Sequence, residues 1–265
     1  MTSYLVCATP RSGSTLLCKT LAETGVAGDP EEFFEAVPAT GVPRRPLDYL
    51  RGLDDPEALG LIEHAPPHPP PPYSDLRAIA SYAEHLDRVR DWGTTPNGVF
   101  GAKIMWAHLE DLAQQLDSHD LPALVDAVFD RPRLVWVRRA DTVRQAVSLW
   151  RAMQTQSWRA ENEHDQDGGE PQYSFAALRH LVDLLTAHEV AWERFFTAAG
   201  GDVLTVGYDD LSTDLADVLA RTLDHIGVTA PEGALDALPR LRRQADERSD
   251  AWAAAYARDA VLAAR

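Results

Sequence analysis

Close to its start the chain reads Tyr4-Leu5-Val6-Cys7-Ala8-Thr9-Pro10-Arg11-Ser12-Gly13-Ser14-Thr15-Leu16-Leu17. An apolar run typical of a buried strand breaks at Pro10 and Gly13, and Leu17 and Leu21 then follow with the spacing of one helix face. The stretch therefore predicts a strand, a tight loop and a helix. Such a loop turns backbone N–H groups and a helix N-terminus toward one point, which favours phosphate binding. Arg11 adds a fork of donors suited to phosphate or sulfate oxygens.

This loop differs from the nucleoside triphosphate P-loop, whose pattern ends in Gly-Lys followed by Ser or Thr. Here Gly13 is followed by Ser14, and the cation Arg11 stands before the glycine. The motif therefore does not imply a Mg²⁺-triphosphate site. A loop that merely carries Ser and Gly is the alternative interpretation, because short motifs match by chance.

Length and composition predict one α/β domain over residues 1–265. A formal net charge of −16 excludes an extended nucleic-acid surface, which needs clustered Lys and Arg. Cys7 and Cys18 lie on the first strand and the helix behind the loop, a position typical of reduced core cysteines. We expect no membrane span and no signal-like leader, and hence a cytoplasmic protein.

Strand-like and helix-like segments alternate along most of the chain. This alternation predicts a mainly parallel central sheet flanked by helices, with a strand over residues 202–211 and a helix from about Ser212 to Ile226 after it. Residues 65–72 are a proline-rich segment that we interpret as a surface insertion. Residues 161–171 are interpreted as an exposed acidic loop.

Carboxylates surround two aromatic residues in Asp29-Pro30-Glu31-Glu32-Phe33-Phe34-Glu35. On composition alone, an acidic helix start is favoured, because carboxylates complement the helix dipole and proline suits the first helical position. A carboxylate held beside two rings is equally suited to be a desolvated general base. The residues themselves do not distinguish Glu31 from Glu32.

Basic side chains occur at the ends of the other predicted strands. Lys103 interrupts an apolar strand and needs a partner there, unless it extends from the strand end to solvent. A second buried strand runs into Arg139, and Ser148 lies about two turns into the following helix. Because parallel sheets bind ligands beyond the carboxyl ends of their strands, this loop and the first one are expected to face the same crevice. Arg243 and Arg248 mark a third candidate anion contact in an otherwise acidic chain.

Several stretches together resemble the trehalose 2-sulfotransferase family of mycobacteria and related bacteria. The matching pieces occur in family order along the whole chain: Arg11-Ser12-Gly13-Ser14-Thr15-Leu16-Leu17, Thr24-Gly25-Val26-Ala27-Gly28, Glu32-Phe33-Phe34, Thr95-Pro96-Asn97-Gly98-Val99, Lys103 with Met105-Trp106, Gln145-Ala146-Val147-Ser148 with Trp150-Arg151-Ala152, and Arg243-Gln244-Ala245-Asp246 with Arg248-Ser249-Asp250 and Trp252.

The resemblance implies a P-loop-like sulfotransferase fold and transfer of a sulfuryl group from 3′-phosphoadenylyl sulfate (PAPS) to a sugar hydroxyl. In that family the glutamate directly before Phe-Phe is the proposed base, which selects Glu32. Arg11 and the N–H groups of Ser12, Gly13, Ser14 and Thr15 would hold the 5′-phosphosulfate. Further contacts implied for the nucleotide are Arg139 and Ser148 at the 3′-phosphate, Lys103 at the leaving group, and Arg243 and Arg248. No metal is implied, and 3′-phosphoadenosine 5′-phosphate would be the product.

The resemblance also implies an acceptor pocket and a homodimer. The residues assigned to the acceptor are Pro10, Asp29, Glu31, Glu32, Phe33, Phe34 and Tyr49. Pro10 stands where the trehalose enzymes have a glutamine, and Tyr49 stands where they have a tryptophan. Because the loss of a polar partner changes which hydroxyls a site accepts, another glycoside or a hydroxylated natural product is the alternative to trehalose.

Two other classes of protein compete with this interpretation. A P-loop kinase would explain the strand, loop and helix, but it needs the absent Gly-Lys pair and a Mg²⁺-binding acid. A nucleotide-binding module without activity is the second alternative, and the presence of Glu32 and Lys103 disfavours it.

Overall fold

The computed structural model describes residues 2–35, 46–63, 81–158, 170–229, 231–233 and 247–264. These residues form two compact units, each built from separate stretches of the chain. Unit 1 comprises Met1–Pro43, Pro70–Ala140 and His188–Leu241, and unit 2 comprises Arg44–Pro69, Asp141–Ala187 and Arg242–Arg265.

Unit 1 contains a four-stranded parallel sheet. Its strands are β1 (Thr2–Ala8), β2 (Val99–Met105), β3 (Arg133–Arg138) and β4 (Val203–Gly207), in the spatial order β2-β1-β3-β4. The register pairs Ala8 with Met105 and Val137, so the segments that follow β1, β2 and β3 leave the sheet at one edge. This is the edge at which open parallel sheets bind ligands.

Helices cover both faces of this sheet. Along β1, Tyr4 and Val6 belong to one apolar cluster and Leu5 and Cys7 to another, as the alternation of side chains in a strand requires. One cluster includes residues of α1 (Ser14–Glu23) and α9 (Leu215–Ile226). The other includes residues of α3 (Tyr82–Gly93), α4 (Trp106–Gln115), α5 (Leu121–Phe129) and the later part of α7 (Phe175–Ala199).

Unit 2 is helical in its described residues. It contains a 3₁₀ helix (Pro46–Leu50), α2 (Pro56–Glu63), α6 (Thr142–Thr155), the first part of α7, and α10 (Glu247–Ala263). A third apolar cluster forms its core around Trp150 of α6 and Leu181 of α7, neither of which is exposed. The indole of Trp150 also donates a hydrogen bond to the carbonyl of Gln172 at 2.8 Å.

The predicted fold class is confirmed: the chain is an α/β protein whose parallel sheet is flanked by helices. The helix predicted from about Ser212 to Ile226 corresponds to α9, but the strand predicted over 202–211 ends at Gly207, because a separate helix α8 (Tyr208–Thr213) follows it. Asp214 ends α8, and its carboxylate caps α9 by accepting the N–H of Asp217 at 2.9 Å. The proline-rich segment and residues 161–169 of the acidic loop lie outside the described residues. The single-domain assignment stays a prediction.

Candidate functional site

The loop after β1 has a backbone that suits an anion. Arg11 has a φ of 64° and Gly13 a φ of 96°, both in the left-handed region. A side chain at Gly13 would be strained, and its Cβ would also lie 3.0 Å from Cδ2 of Tyr208 and 3.1 Å from Cδ1 of Leu211. Gly13 directly precedes α1, and none of the described side chains caps that helix end. The N-terminal N–H groups of α1 are therefore available to a ligand, as helix N-termini commonly are.

A buried hydroxyl supports the same conclusion. Ser12 is fully buried, and its Oγ makes no hydrogen bond within the described part of the chain. Such groups are rare in native proteins and are expected to meet a ligand or water. The N–H of Ser12 donates to the carbonyl of Thr9 at 3.3 Å. The binding of a phosphosulfate group by this loop stays a prediction.

The carboxylate-rich segment is held to the end of α3 and to β2 through backbone hydrogen bonds. The N–H of Asp29 donates to the carbonyl of Gly93 at 3.1 Å, and the N–H of Lys103 donates to the carbonyl of Glu31 at 3.0 Å. This approach is close enough to require glycine at position 28, where φ is 74° and a Cβ would lie 2.6 Å from the backbone nitrogen of Gly101. The segment is therefore fixed relative to the strand that carries Lys103.

Two aromatic side chains anchor the far end of this segment. Phe33 and Phe34 are 2% and 1% exposed. Phe33 stacks on Trp92 with a centroid distance of 6.4 Å, and Phe34 meets Phe129 edge-on at 5.2 Å. The two rings thus hold Glu32 in place through core packing. Their predicted contact with an acceptor stays a prediction.

Lys103 and Glu32 form an ion pair at the centre of the site. Nζ of Lys103 lies 2.7 Å from Oε1 of Glu32 and donates to Oγ1 of Thr15 at 3.0 Å. The lysine side chain is 2% exposed and the glutamate 25%. The predicted need of Lys103 for a partner is met by this pair. The ammonium also connects the carboxylate to the loop after β1 (residues 11–15), which we call the phosphate-type loop.

Charge and burial act in opposite directions on this pair. Burial disfavours the ammonium of Lys103, but the nearby carboxylates, Glu32 foremost, outweigh it and raise the pKa above its usual value. The lysine is therefore cationic at neutral pH.

Burial, together with the charge of Glu31, raises the pKa of Asp29. Burial raises the pKa of Cys18 to about 12, so its thiol stays protonated.

Arg139 lies at the same edge of the sheet, directly after β3. Its guanidinium is 4.2 Å from the centre of the Tyr208 ring, in cation–π geometry. Because Tyr208 also touches the space beside Gly13, one ring contacts both predicted anion-binding segments of unit 1. The structure therefore brings Arg11 to Thr15, Glu32, Lys103 and Arg139 into a single unit.

Of the other predicted site residues, Pro10 belongs to unit 1, and the rest belong to unit 2 or lie outside the described residues. Ser148 is on α6, and Arg248 forms an ion pair with Glu170. Tyr49 lies on the 3₁₀ helix, its ring 6.3 Å from that of Trp158. Arg243 is outside the described residues. The roles of these four residues stay predictions.

Sequence reasoning missed the side chains that surround the loops. Oγ1 of Thr9 donates to Oε1 of Glu189 at 2.9 Å, and Glu189 also pairs with Arg138. Tyr208 was not singled out either. No local pattern identifies these contacts, since Thr9 and Glu189 are 180 positions apart. The one available signal was the position of Arg138 and Tyr208 directly beside strand ends, where ligand sites form.

The described residues lack two further features. No group of three or more His, Cys, Asp or Glu side chains there has a metal-binding arrangement. No helix in the described ranges combines the length and apolarity needed to cross a bilayer.

The chain is similar in sequence to a known enzyme family and to two curated proteins. The sequence profile of the Stf0 sulphotransferase family matches residues 3–259. A trehalose 2-sulfotransferase of Mycobacterium tuberculosis is 39% identical over 97% of this chain and 95% of its own length. The trehalose 2-sulfotransferase of Mycolicibacterium smegmatis is 36% identical, with 98% and 96% covered. A sulfotransferase structure from Alicyclobacillus acidocaldarius is 14% identical, with a TM-score of 0.49 over 98% of this chain and 92% of that one.

Proposed function

The chain belongs to the Stf0 sulphotransferase family and is a sulfotransferase, and we propose that it transfers a sulfuryl group from PAPS to a hydroxyl of trehalose. The observation that carries this proposal is the contact chain from Glu32 through Lys103 to Thr15, with distances of 2.7 Å and 3.0 Å. It joins a carboxylate suited to proton abstraction to a loop suited to the donor's anionic groups.

In this proposal Arg11 and the loop Ser12–Thr15 hold the 5′-phosphosulfate. The left-handed backbone at Arg11 and Gly13, the uncapped start of α1 and the buried Oγ of Ser12 support that assignment. Arg139 would bind the 3′-phosphate, supported by its position at the carboxyl edge of the sheet. Ser148, Arg243 and Arg248 are proposed as further nucleotide contacts on the family resemblance alone.

Glu32 is proposed as the general base. Its carboxylate would take the proton from the acceptor hydroxyl while the hydroxyl oxygen bonds to sulfur. The bound donor supplies the sulfuryl group, whose bond to the phosphate oxygen breaks as the new one forms, so the products are a sulfate ester and 3′-phosphoadenosine 5′-phosphate. Lys103, held cationic by its surroundings, would stabilise negative charge on the departing oxygen.

Trehalose is the proposed acceptor because the curated relatives are trehalose 2-sulfotransferases at 39% and 36% identity. Pro10 departs from the family pattern at the loop itself. It offers neither a side-chain donor nor an acceptor, so a different glycoside or a hydroxylated natural product is the second candidate. The same chemistry serves either acceptor. A homodimer and a cytoplasmic location are further proposals that rest on family analogy and composition.

The role of Glu32 is tested by Glu32→Gln. The amide keeps the size of the side chain but takes no proton, so we expect kcat to fall by about 10²- to 10⁴-fold. Affinity for 3′-phosphoadenosine 5′-phosphate, measured by calorimetry, should stay within about twofold, because the loop donors remain. The matched variant Glu31→Gln should lose far less activity, since the hydrogen bond between Lys103 and Glu31 joins their backbones and is kept in this variant. A wild-type rate in Glu32→Gln would refute the assignment of the base.

A further inference from the structure

Glu189 is a buried carboxylate that the proposed chemistry does not use. It lies on the later part of α7, in unit 1, and is 8% exposed. Burial raises its pKa and the negative charge of Glu193 raises it further, while Thr9 and Arg138 partly offset the rise. Burying a carboxylate costs free energy. The contacts that compensate for the burial of Glu189 therefore need an explanation.

One contact of Glu189 holds the end of β1. Its Oε1 accepts the hydroxyl of Thr9 at 2.9 Å, and Thr9 is fully buried. The carbonyl of Thr9 in turn accepts the N–H of Ser12, inside the phosphate-type loop. One turn further along α7, the indole of Trp192 donates to the carbonyl of Ala8 at 3.0 Å. Two side chains of α7 therefore fix the residues from which the loop departs.

The second contact holds the end of β3. Oε2 of Glu189 lies 3.4 Å from Nε of Arg138, the last residue of that strand. The guanidinium of Arg138 also lies 3.5 Å from Glu193 and 4.3 Å from the ring centre of Trp136. Arg139, the next residue, contacts Tyr208. Neighbouring side chains at a strand end point to opposite faces, so anchoring Arg138 fixes the backbone from which Arg139 extends.

We propose that Glu189 is a positioning residue that joins the end of β1 to the end of β3 and thereby sets the spacing between the Ser12–Thr15 loop and Arg139. A nucleotide with phosphates at both its 5′ and 3′ positions needs both segments at the correct separation. A nucleotide with the 5′-phosphate alone does not. Glu189 thus acts on the discrimination between the two nucleotides without touching either. This inference rests on the proposed function for the identity of the ligand.

The test compares two affinities in each variant. Calorimetry gives the dissociation constants of 3′-phosphoadenosine 5′-phosphate and of adenosine 5′-phosphate. The constant for adenosine 5′-phosphate divided by that for 3′-phosphoadenosine 5′-phosphate measures how much the 3′-phosphate adds to binding. Glu189→Ala should lower this ratio by about tenfold, the scale of one hydrogen bond to a charged group. Glu189→Gln keeps an acceptor for Thr9, and its ratio should lie between those of wild type and Glu189→Ala. Glu193→Gln, which removes the more exposed partner of Arg138, should leave the ratio unchanged.

A merely structural role gives a different result. If Glu189 only stabilised the fold, both affinities would fall together, and a ratio within about twofold of wild type in Glu189→Ala would overturn the proposal. Amide hydrogen exchange of the nucleotide-free protein tests the connection without any ligand. Glu189→Ala should raise exchange in residues 9–13 and 138–140 together, whereas unchanged exchange at either end would overturn it. Failure of the wild type to bind either nucleotide would refute the proposed function, and the exchange result would still decide the role of Glu189.

Discussion

Replacing the buried Lys103 by an uncharged residue should lower the free energy of unfolding, by an amount that follows from the burial of its partner Glu32. Lys103→Met leaves the Glu32 carboxylate, 25% exposed, without the ammonium that lies 2.7 Å away. Breaking a fully buried ion pair on one side costs about 3–5 kcal/mol, and the partial exposure of Glu32 places this case at about 3 kcal/mol. Glu32→Gln leaves a buried ammonium beside a neutral amide and should cost a similar amount.

The double variant isolates the interaction between the two side chains. With both charges gone, neither partner is left uncompensated, so the double variant should be more stable than the sum of the single effects predicts. We expect a coupling energy of about 2–3 kcal/mol from urea unfolding of the nucleotide-free protein at neutral pH. The control is the exposed pair Arg88–Glu84 on α3, also at short range, for which the coupling should be below about 0.5 kcal/mol. Additive effects of Lys103→Met and Glu32→Gln would refute the paired geometry and with it the contact chain to the loop.

Two further predictions concern the support of Glu32. Gly28→Ala should destabilise the protein by about 1–3 kcal/mol more than Gly25→Ala, because both glycines have positive φ but only at Gly28 would a Cβ meet backbone, 2.6 Å from Gly101; equal melting temperatures would contradict this. Burial lowers the pKa of His85, which meets Phe34 edge-on, to about 4 from 6.5, so stability present above pH 6.5 should be lost as the pH falls toward 4, by up to about 3 kcal/mol. Unfolding curves of wild type and His85→Leu across this range should differ in slope, and parallel curves would exclude the effect.

The parts of the fold that follow from local pattern were predictable. The break at Pro10 and Gly13 predicted the loop, and the apolar runs predicted the parallel strands. The interruption at Lys103 predicted that a partner must exist, because a buried charge is costly alone. The pattern placed residues 208–211 in a strand, whereas Tyr208 begins α8, and Asp214, whose carboxylate caps α9, separates the two helices.

The parts that depend on distant segments were not predictable. Composition alone left Glu31 and Glu32 equivalent, and the choice of Glu32 came from the family resemblance. The 2.7 Å contact of the Glu32 carboxylate with Lys103 depends on the backbone bond that joins Glu31 to β2, which no local pattern predicts. The contact between Thr9 and Glu189 joins positions 180 apart, and no periodicity encodes it. Likewise, Tyr208 gains its place beside Gly13 and Arg139 only when β4 completes the sheet.

The central claim is sulfuryl transfer from PAPS to a sugar hydroxyl, and its most direct test is identification of the product. The purified protein is incubated with PAPS and trehalose, and mass spectrometry measures sulfated trehalose together with 3′-phosphoadenosine 5′-phosphate. We expect the two products in equal amounts, with Glu32→Gln as the inactive control. Formation of the nucleotide product with another glycoside but not with trehalose would show that the acceptor is that glycoside, while the sulfuryl transfer from PAPS would stand. The absence of any sulfated sugar, in a protein that binds neither nucleotide nor sugar, would contradict the account.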